Sequence, residues 1–153
     1  MWSFNEEEVS YHEKIRLFLL SIIWVVGLAG CGKQATPKVD IDYGSSSIYT
    51  KEDMDSAIKL IQDEFSTWKG CELHSISYAG DDECNESNIA WMNELEKAND
   101  AKETFTQCIV FKSSFHSPIN GGDAWNADEE YTNWGWFLAR TDNGKWKLMT
   151  WGY

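Results

Sequence analysis

The sequence predicts an α+β domain: a long N-terminal helix packed on a curled antiparallel sheet of about four strands, with a second short helix. Three observations predict it. Apolar residues recur at three- and four-residue steps from Met54 to Trp68, the period of one helical face. Later stretches are rich in β-branched and aromatic residues and are separated by turn-forming ones, the pattern of strands. Strand and helix do not alternate in the βαβ manner that builds a parallel sheet, and no internal repeat is present.

The first helix has the clearest start. Thr50 is placed as its N-cap and Asp53 as the reciprocal acceptor of a capping box, with Tyr49 and Met54 set for a hydrophobic staple. Met54, Ala57, Ile58, Ile61, Phe65 and Trp68 then form the apolar face, and Gly70 is the expected stop. Residues 71–79 (CELHSISYA) read as a strand and 80–86 (GDDECNE) as a polar turn. A second helix is expected over 87–98, capped by Asn85 or Ser87, with Ile89, Trp91, Met92 and Leu95 on its apolar side and Asn99-Asp100 ending it. Residues 104–116 (TFTQCIVFKSSFH) are a long strand with Phe105, Ile109, Phe111 and Phe115 assigned to one face. A loop rich in Gly, Asn and acid follows. The last two strands, Tyr131–Thr141 and Lys145–Trp151, flank Asp142-Asn143-Gly144, residues that tolerate the positive φ of a tight turn.

The N-terminus reads as an address. Residues 17–30, LFLLSIIWVVGLAG, are apolar and uncharged, and Lys14 and Arg16 precede them. The run is short of the roughly 20 residues a membrane span needs, and it has the layout of a secretory signal peptide. Its end, Leu28-Ala29-Gly30-Cys31, resembles the lipobox of bacterial lipoproteins. That resemblance implies cleavage before Cys31, a diacylglycerol on its sulfur, and a lipid-anchored protein on the extracytoplasmic face of the cell membrane; two acyl chains suffice for stable attachment. The expected organisation is a leader at 1–30, a tether at 31–48 containing Pro37, Gly44 and a run of serines, and a single domain at 49–153.

Composition narrows the function. The whole chain carries a net charge of −12; the leader holds four Glu against Lys14 and Arg16, so the remainder carries −10. An acidic chain offers no basic face for phosphates, which excludes nucleic acid as a partner. Of nine Trp, Trp2 and Trp24 belong to the leader. Trp125, Tyr131, Trp134, Trp136, Trp146 and Trp151 crowd the final thirty residues. Such rings either line a surface for a flat, apolar or sugar-like ligand or a protein partner, or serve as core and cross-strand pairs.

The element order and the ending Gly144-Lys145-Trp146-Lys147-Leu148 through Trp151-Gly152-Tyr153 resemble the cystatin-like and NTF2-like folds, and more narrowly the small lipoproteins of Gram-positive bacteria that carry such a domain. The resemblance covers about residues 48–153. It implies a cone between helix and sheet, used by some members for catalysis and by many for binding, and a homodimer formed through the open sheet face. It carries over no catalytic residue.

The candidate ligand-binding residues are therefore Trp125, Tyr131, Trp134, Trp136 and His116. His116 ends the long strand, where Glu129 or Glu130 comes within reach; inside a cone, such a pair would do general acid–base work, the basis of an alternative reading as a small enzyme. The acidic loops lack the spacing of a calcium site, so no metal or other cofactor is expected. Cys71, Cys84 and Cys108 leave two states open: one disulfide with one thiol, of which Cys71 with Cys84 would close a short loop, or three reduced thiols. Cys108 reads as a core thiol. Lipid anchoring has a direct check: Cys31→Ala should abolish incorporation of radiolabelled palmitate, and undiminished labelling would remove the anchor from the account.

Overall fold

The computed structural model describes residues 38–122, 124–142 and 144–153. Cys31, the expected leader and the first residues of the expected tether lie outside them. The architecture is α+β, with strands β1 (Asp40–Asp42), β2 (Glu72–Tyr78), β3 (Gln107–His116), β4 (Glu130–Arg140) and β5 (Lys147–Gly152), and helices α1 (Lys51–Phe65) and α2 (Glu86–Ala98). The sheet is five-stranded, in the order β1-β2-β3-β4-β5. The last four strands form an antiparallel meander. Strand β1 adds to its edge parallel to β2, so β1, α1 and β2 make one βαβ unit.

That edge strand makes the sheet mixed rather than antiparallel and supplies a βαβ unit where none was expected, and it corrects other expectations too. The sheet has five strands, and part of the expected tether belongs to the fold. Val39, Ile41 and Tyr43 face the core, while Asp40 and Asp42 alternate with them. The serines that follow are docked as well. Ser46 Oγ donates to Asp81 Oδ1 at 2.6 Å, and Ser47 donates from both its N–H and its hydroxyl to Asp81 Oδ2. These donors, Ser46 foremost, hold the Asp81 carboxyl well below the usual carboxylate range. The first helix also follows a strand rather than opening the domain.

Helix α1 begins as read: Thr50 and Asp53 complete the capping box. Asp53 does a second job. Its Oδ1 accepts from Arg140 Nη1 at 2.7 Å, which ties the helix start to the end of β4, and the guanidinium holds the Asp53 carboxyl below its ordinary range. The helix ends at Phe65 with Ser66 as C-cap, earlier than Gly70. Thr67 to Gly70 form tight turns instead, with Gly70 at φ +77°. Helix α2 starts one residue before the expected span, capped by the Asn85 side chain. Between them, Asp81–Glu83 form a single 3-10 turn within the expected polar turn.

The two helices lie on opposite faces of the sheet. Met54, Ala57, Ile58, Ile61 and Phe65 pack with Ile76, Ile109, Phe111, Phe115, Trp136 and Leu138 in the main core. On the other face, Met92 packs with Phe105, Cys108 and Ala139. Phe105 thus belongs with α2, because it precedes β3 and escapes its alternation; Ile109, Phe111 and Phe115 keep the expected face. A fully buried side chain of this size contributes about 1.5–3 kcal/mol, so the α1 face supplies most of the hydrophobic stabilisation. The α2 side relies more on polar contacts. Asn93 bonds both the N–H and the C=O of Phe105. Glu96, only 1% exposed, accepts from Lys147 at 2.7 and 2.8 Å. A carboxylate that deep is tolerated because it is paired.

Candidate functional site

The site grows from the turn that ends α1. The N–H of Trp68 donates to Phe65 C=O and that of Cys71 to Trp68 C=O, so the chain doubles back at once. This leaves the Trp68 indole over the end of the sheet, stacked on Trp136 at 5.2 Å and 22°. Trp68 also meets Phe65, Phe115, Trp125, Trp134 and Trp151 at 4.9–6.1 Å.

Strand alternation and its interruptions bring the rest. On β4, Trp134 and Trp136 share a face. Between Ser113 and Phe115 of β3, the partner strand passes from Trp134 to Tyr131, one residue more than β3 uses. Asn133 in this offset has φ +56°. The bulge turns Tyr131 onto the same face, where its ring stacks on Phe115 at 4.9 Å and 3°. A second bulge lies on β5. Leu138 pairs with Leu148 and Phe137 with Thr150, leaving Met149 as the extra residue and setting Trp151 opposite Trp136.

The loop 117–129 closes the site. Ser117, 1% exposed, donates from its hydroxyl to Asn126 C=O at 2.7 Å and accepts from the Glu129 N–H at 2.9 Å. Pro118 C=O accepts from the N–H groups of Gly121 and Asp128. The Tyr131 hydroxyl accepts from the Asn126 N–H at 3.1 Å. The loop so held lays Trp125 against Trp68 at 4.9 Å and Phe115 at 5.1 Å. Gly121, at φ +69°, is required here: a Cβ would stand 3.0 Å from Trp125 C=O.

The result is an open cleft of about 800 Å³ lined by Thr67, Trp68, Lys69, Gly121, Gly122, Ala124, Trp125, Trp134 and Trp151. Its walls are indole rings; its rim carries a hydroxyl, an ammonium and loop peptide groups. Among the described residues, Trp134 Nε1 is a buried donor with no hydrogen-bond partner. Leaving such a group unpaired costs about 1–3 kcal/mol. The rings of Phe115, Trp125, Tyr131, Trp68 and Tyr153 stand 68–89° to the Trp134 plane, the edge-to-face arrangement that recovers part of that cost.

The expected site residues divide. Trp125 and Trp134 line the cleft. Tyr131 supports it from behind. Trp136 is wholly buried beneath Trp68, with Nε1 donating to Ser113 Oγ at 2.8 Å, so it is floor rather than wall. Trp68, Lys69 and Trp151 line the cleft and were outside the candidate set. Trp146, another of the crowded C-terminal rings, is not part of the cleft: it donates from Nε1 to Asp53 C=O and lies under the Arg140 guanidinium.

His116 is on the other face. It follows the fully buried Phe115, and alternation turns it away from the aromatic cleft. Its Nε2 is 2.9 Å from Asp128 Oδ1 and its Nδ1 3.3 Å from Glu130 Oε2. Glu130 Oε1 reaches His74 Nδ1 at 3.1 Å, and the two imidazoles lie nearly parallel at 6.4 Å. Glu130 is thus the nearer of the two expected carboxylates, and Asp128 joins it. All these side chains are a third or more exposed. Asp128, then Glu130, raises the His116 pKa above its ordinary 6.5. Among the described residues, no three His, Cys, Asp or Glu side chains are grouped to hold a metal ion, and no helix is long and apolar enough to cross a membrane.

Comparison with protein-family models, with curated proteins and with solved structures gives no match.

The His116 cluster has a pH signature. A folded-state pKa raised above the unfolded value adds stability that is complete below the unfolded pKa and is lost as pH rises through the folded one. The urea midpoint of the wild-type chain should therefore exceed that of His116→Gln most clearly at about pH 5, and the gap should close towards about pH 9. A gap that widens with rising pH would contradict the assignment.

Proposed function

We propose that this protein is a binding module anchored through a lipidated Cys31 on the extracytoplasmic face of a cell membrane, and that the four-tryptophan cleft takes a sugar-like ligand. The anchor rests on the apolar run 17–30, the basic pair before it and the Leu-Ala-Gly-Cys ending. The cleft is the observation that carries the binding reading. A sugar ring has one C–H face and a rim of hydroxyls. Trp68, Trp125, Trp134 and Trp151 supply aromatic faces, while Thr67, Lys69 and the peptide groups of Gly121 and Gly122 supply polar partners at the edge.

In this reading the domain is of the cystatin-like or NTF2-like kind, supported by the order helix, strand, helix and three further strands and by α1 lying across one face of the meander. The alternative reading as a small enzyme would use His116 with Asp128 and Glu130. Their exposure favours a solvated ion-pair cluster over the desolvated acid–base pair that such chemistry needs.

Trp151 is the ring to remove, because it is 41% exposed while Trp68 and Trp134 bear on the core. Titration with a tetramer of β-1,4-linked N-acetylglucosamine should give a saturable change in tryptophan fluorescence. Trp151→Ala should weaken it about two- to tenfold, the equivalent of one lost stacking contact of roughly 0.5–1.5 kcal/mol. No saturable change at millimolar oligosaccharide would overturn the sugar assignment.

A further inference from the structure

Far from the aromatic cleft, on the α2 side of the sheet, two cysteines converge. Cys84 caps the 3-10 turn and immediately precedes Asn85, the N-cap of α2. Cys108 lies in β3 and is wholly buried. The Cys108 thiol approaches the carbonyls on both sides of Cys84, Glu83 C=O at 3.9 Å and Asn85 C=O at 3.8 Å, so its sulfur sits beneath the Cys84 residue. Cys84 packs against the same small cluster that contains Cys108. Its sulfur is 3.3 Å from the Tyr78 hydroxyl, which donates to Asp81 Oδ1 at 2.8 Å.

The third thiol among the described residues is elsewhere. Cys71 precedes the start of β2 and Cys84 follows its end. Seven residues of extended chain put about 20 Å between those ends, at about 3.3 Å per residue. A disulfide tolerates at most about 7 Å between Cα atoms. The short loop that Cys71 and Cys84 would close is therefore not available to this fold.

We propose that Cys84 and Cys108 are the redox-active pair of this protein, converted to a disulfide by thiol–disulfide exchange with a low-molecular-weight disulfide. Cys84 is half-buried and Cys108 fully buried, which sets the order. The Cys84 thiolate attacks one sulfur of the oxidant and expels the first thiolate, giving a mixed disulfide. Cys108 then loses its proton and its sulfur attacks Cys84 Sγ, expelling the second. Two protein thiols and one small disulfide become one protein disulfide and two small thiols; the two cysteine protons end on the leaving thiolates, and the oxidant takes up two electrons. The two thiols bias each other: Cys108 beside it draws the Cys84 thiol down, while Cys84 and burial push Cys108 up, so the more accessible sulfur is the nucleophile. The bond would close a loop containing all of α2 and pin that helix to β3.

The test uses the full chain, reduced, then exposed to oxidised glutathione, alkylated with iodoacetamide and digested with trypsin. The expected product joins peptide 70–97 to peptide 103–112 through Cys84 and Cys108, with Cys71 alkylated. Cys71→Ser should form the same cross-link, and its oxidised form should melt several degrees above its reduced form, as a closed loop of this length predicts. A bond that engages Cys71, or Cys84 and Cys108 both recovered alkylated after oxidation, would overturn the proposal.

Discussion

Side chains on a strand alternate between faces, so Tyr131, Trp134, Trp136 and Trp151 can share one side of the sheet only if the ladder slips. It slips at Asn133 on β4 and at Met149 on β5. Without the first bulge, Tyr131 would point away from Trp134. Without the second, the simple hairpin ladder would set Trp151 opposite Gly135, on the face of Phe137 and α2. A one-residue shift reverses every side chain beyond it, and the aromatic cleft depends on two such shifts.

Those shifts matter because Trp68 needs a floor and walls. Trp68 is partly buried, so truncating it costs less than the roughly 3–5 kcal/mol of a fully buried tryptophan, yet more than any single surface contact in the domain. Trp68 connects the end of α1, both strands of the last hairpin and the loop that carries Trp125. The same ring therefore closes the main core and borders the cleft. The opposite face of the sheet is chemically different: the Glu96–Lys147 pair and the two convergent cysteines at the α2 end, imidazoles and carboxylates at the other.

Much of the fold was legible in local chemistry. The Thr50–Asp53 capping box and the stop at Asn99-Asp100 are signals that act within a few residues and fall where the sequence placed them, and of the two caps offered for the second helix the structure uses Asn85. Strand β1 also had a signal, since Val39-Asp40-Ile41-Asp42-Tyr43 alternates strictly; three residues are too few to stand out, and only pairing with β2 makes them a strand. The site was less legible. Alternation counted along β4 and β5 favours Trp146 as the ring across the hairpin, yet that connection runs over residues 141–146 and leaves Trp146 outside the ladder. Trp68 looked like the last residue of a helical face and lies instead within a turn. His116 fell opposite the aromatics because it is one residue beyond Phe115, a parity that no composition reveals.

The central claim is that two bulges gather the tryptophans on the α1 face. Proton NOEs between the indole rings of the full chain test it most directly. Cross-peaks are expected from Trp151 to Trp68 and Trp136, and from Trp125 to Trp134, all at ring separations of 5.4–6.1 Å. Cross-peaks from Trp151 to Phe137 or Trp91, with none to Trp68, would place Trp151 on the other face and contradict it.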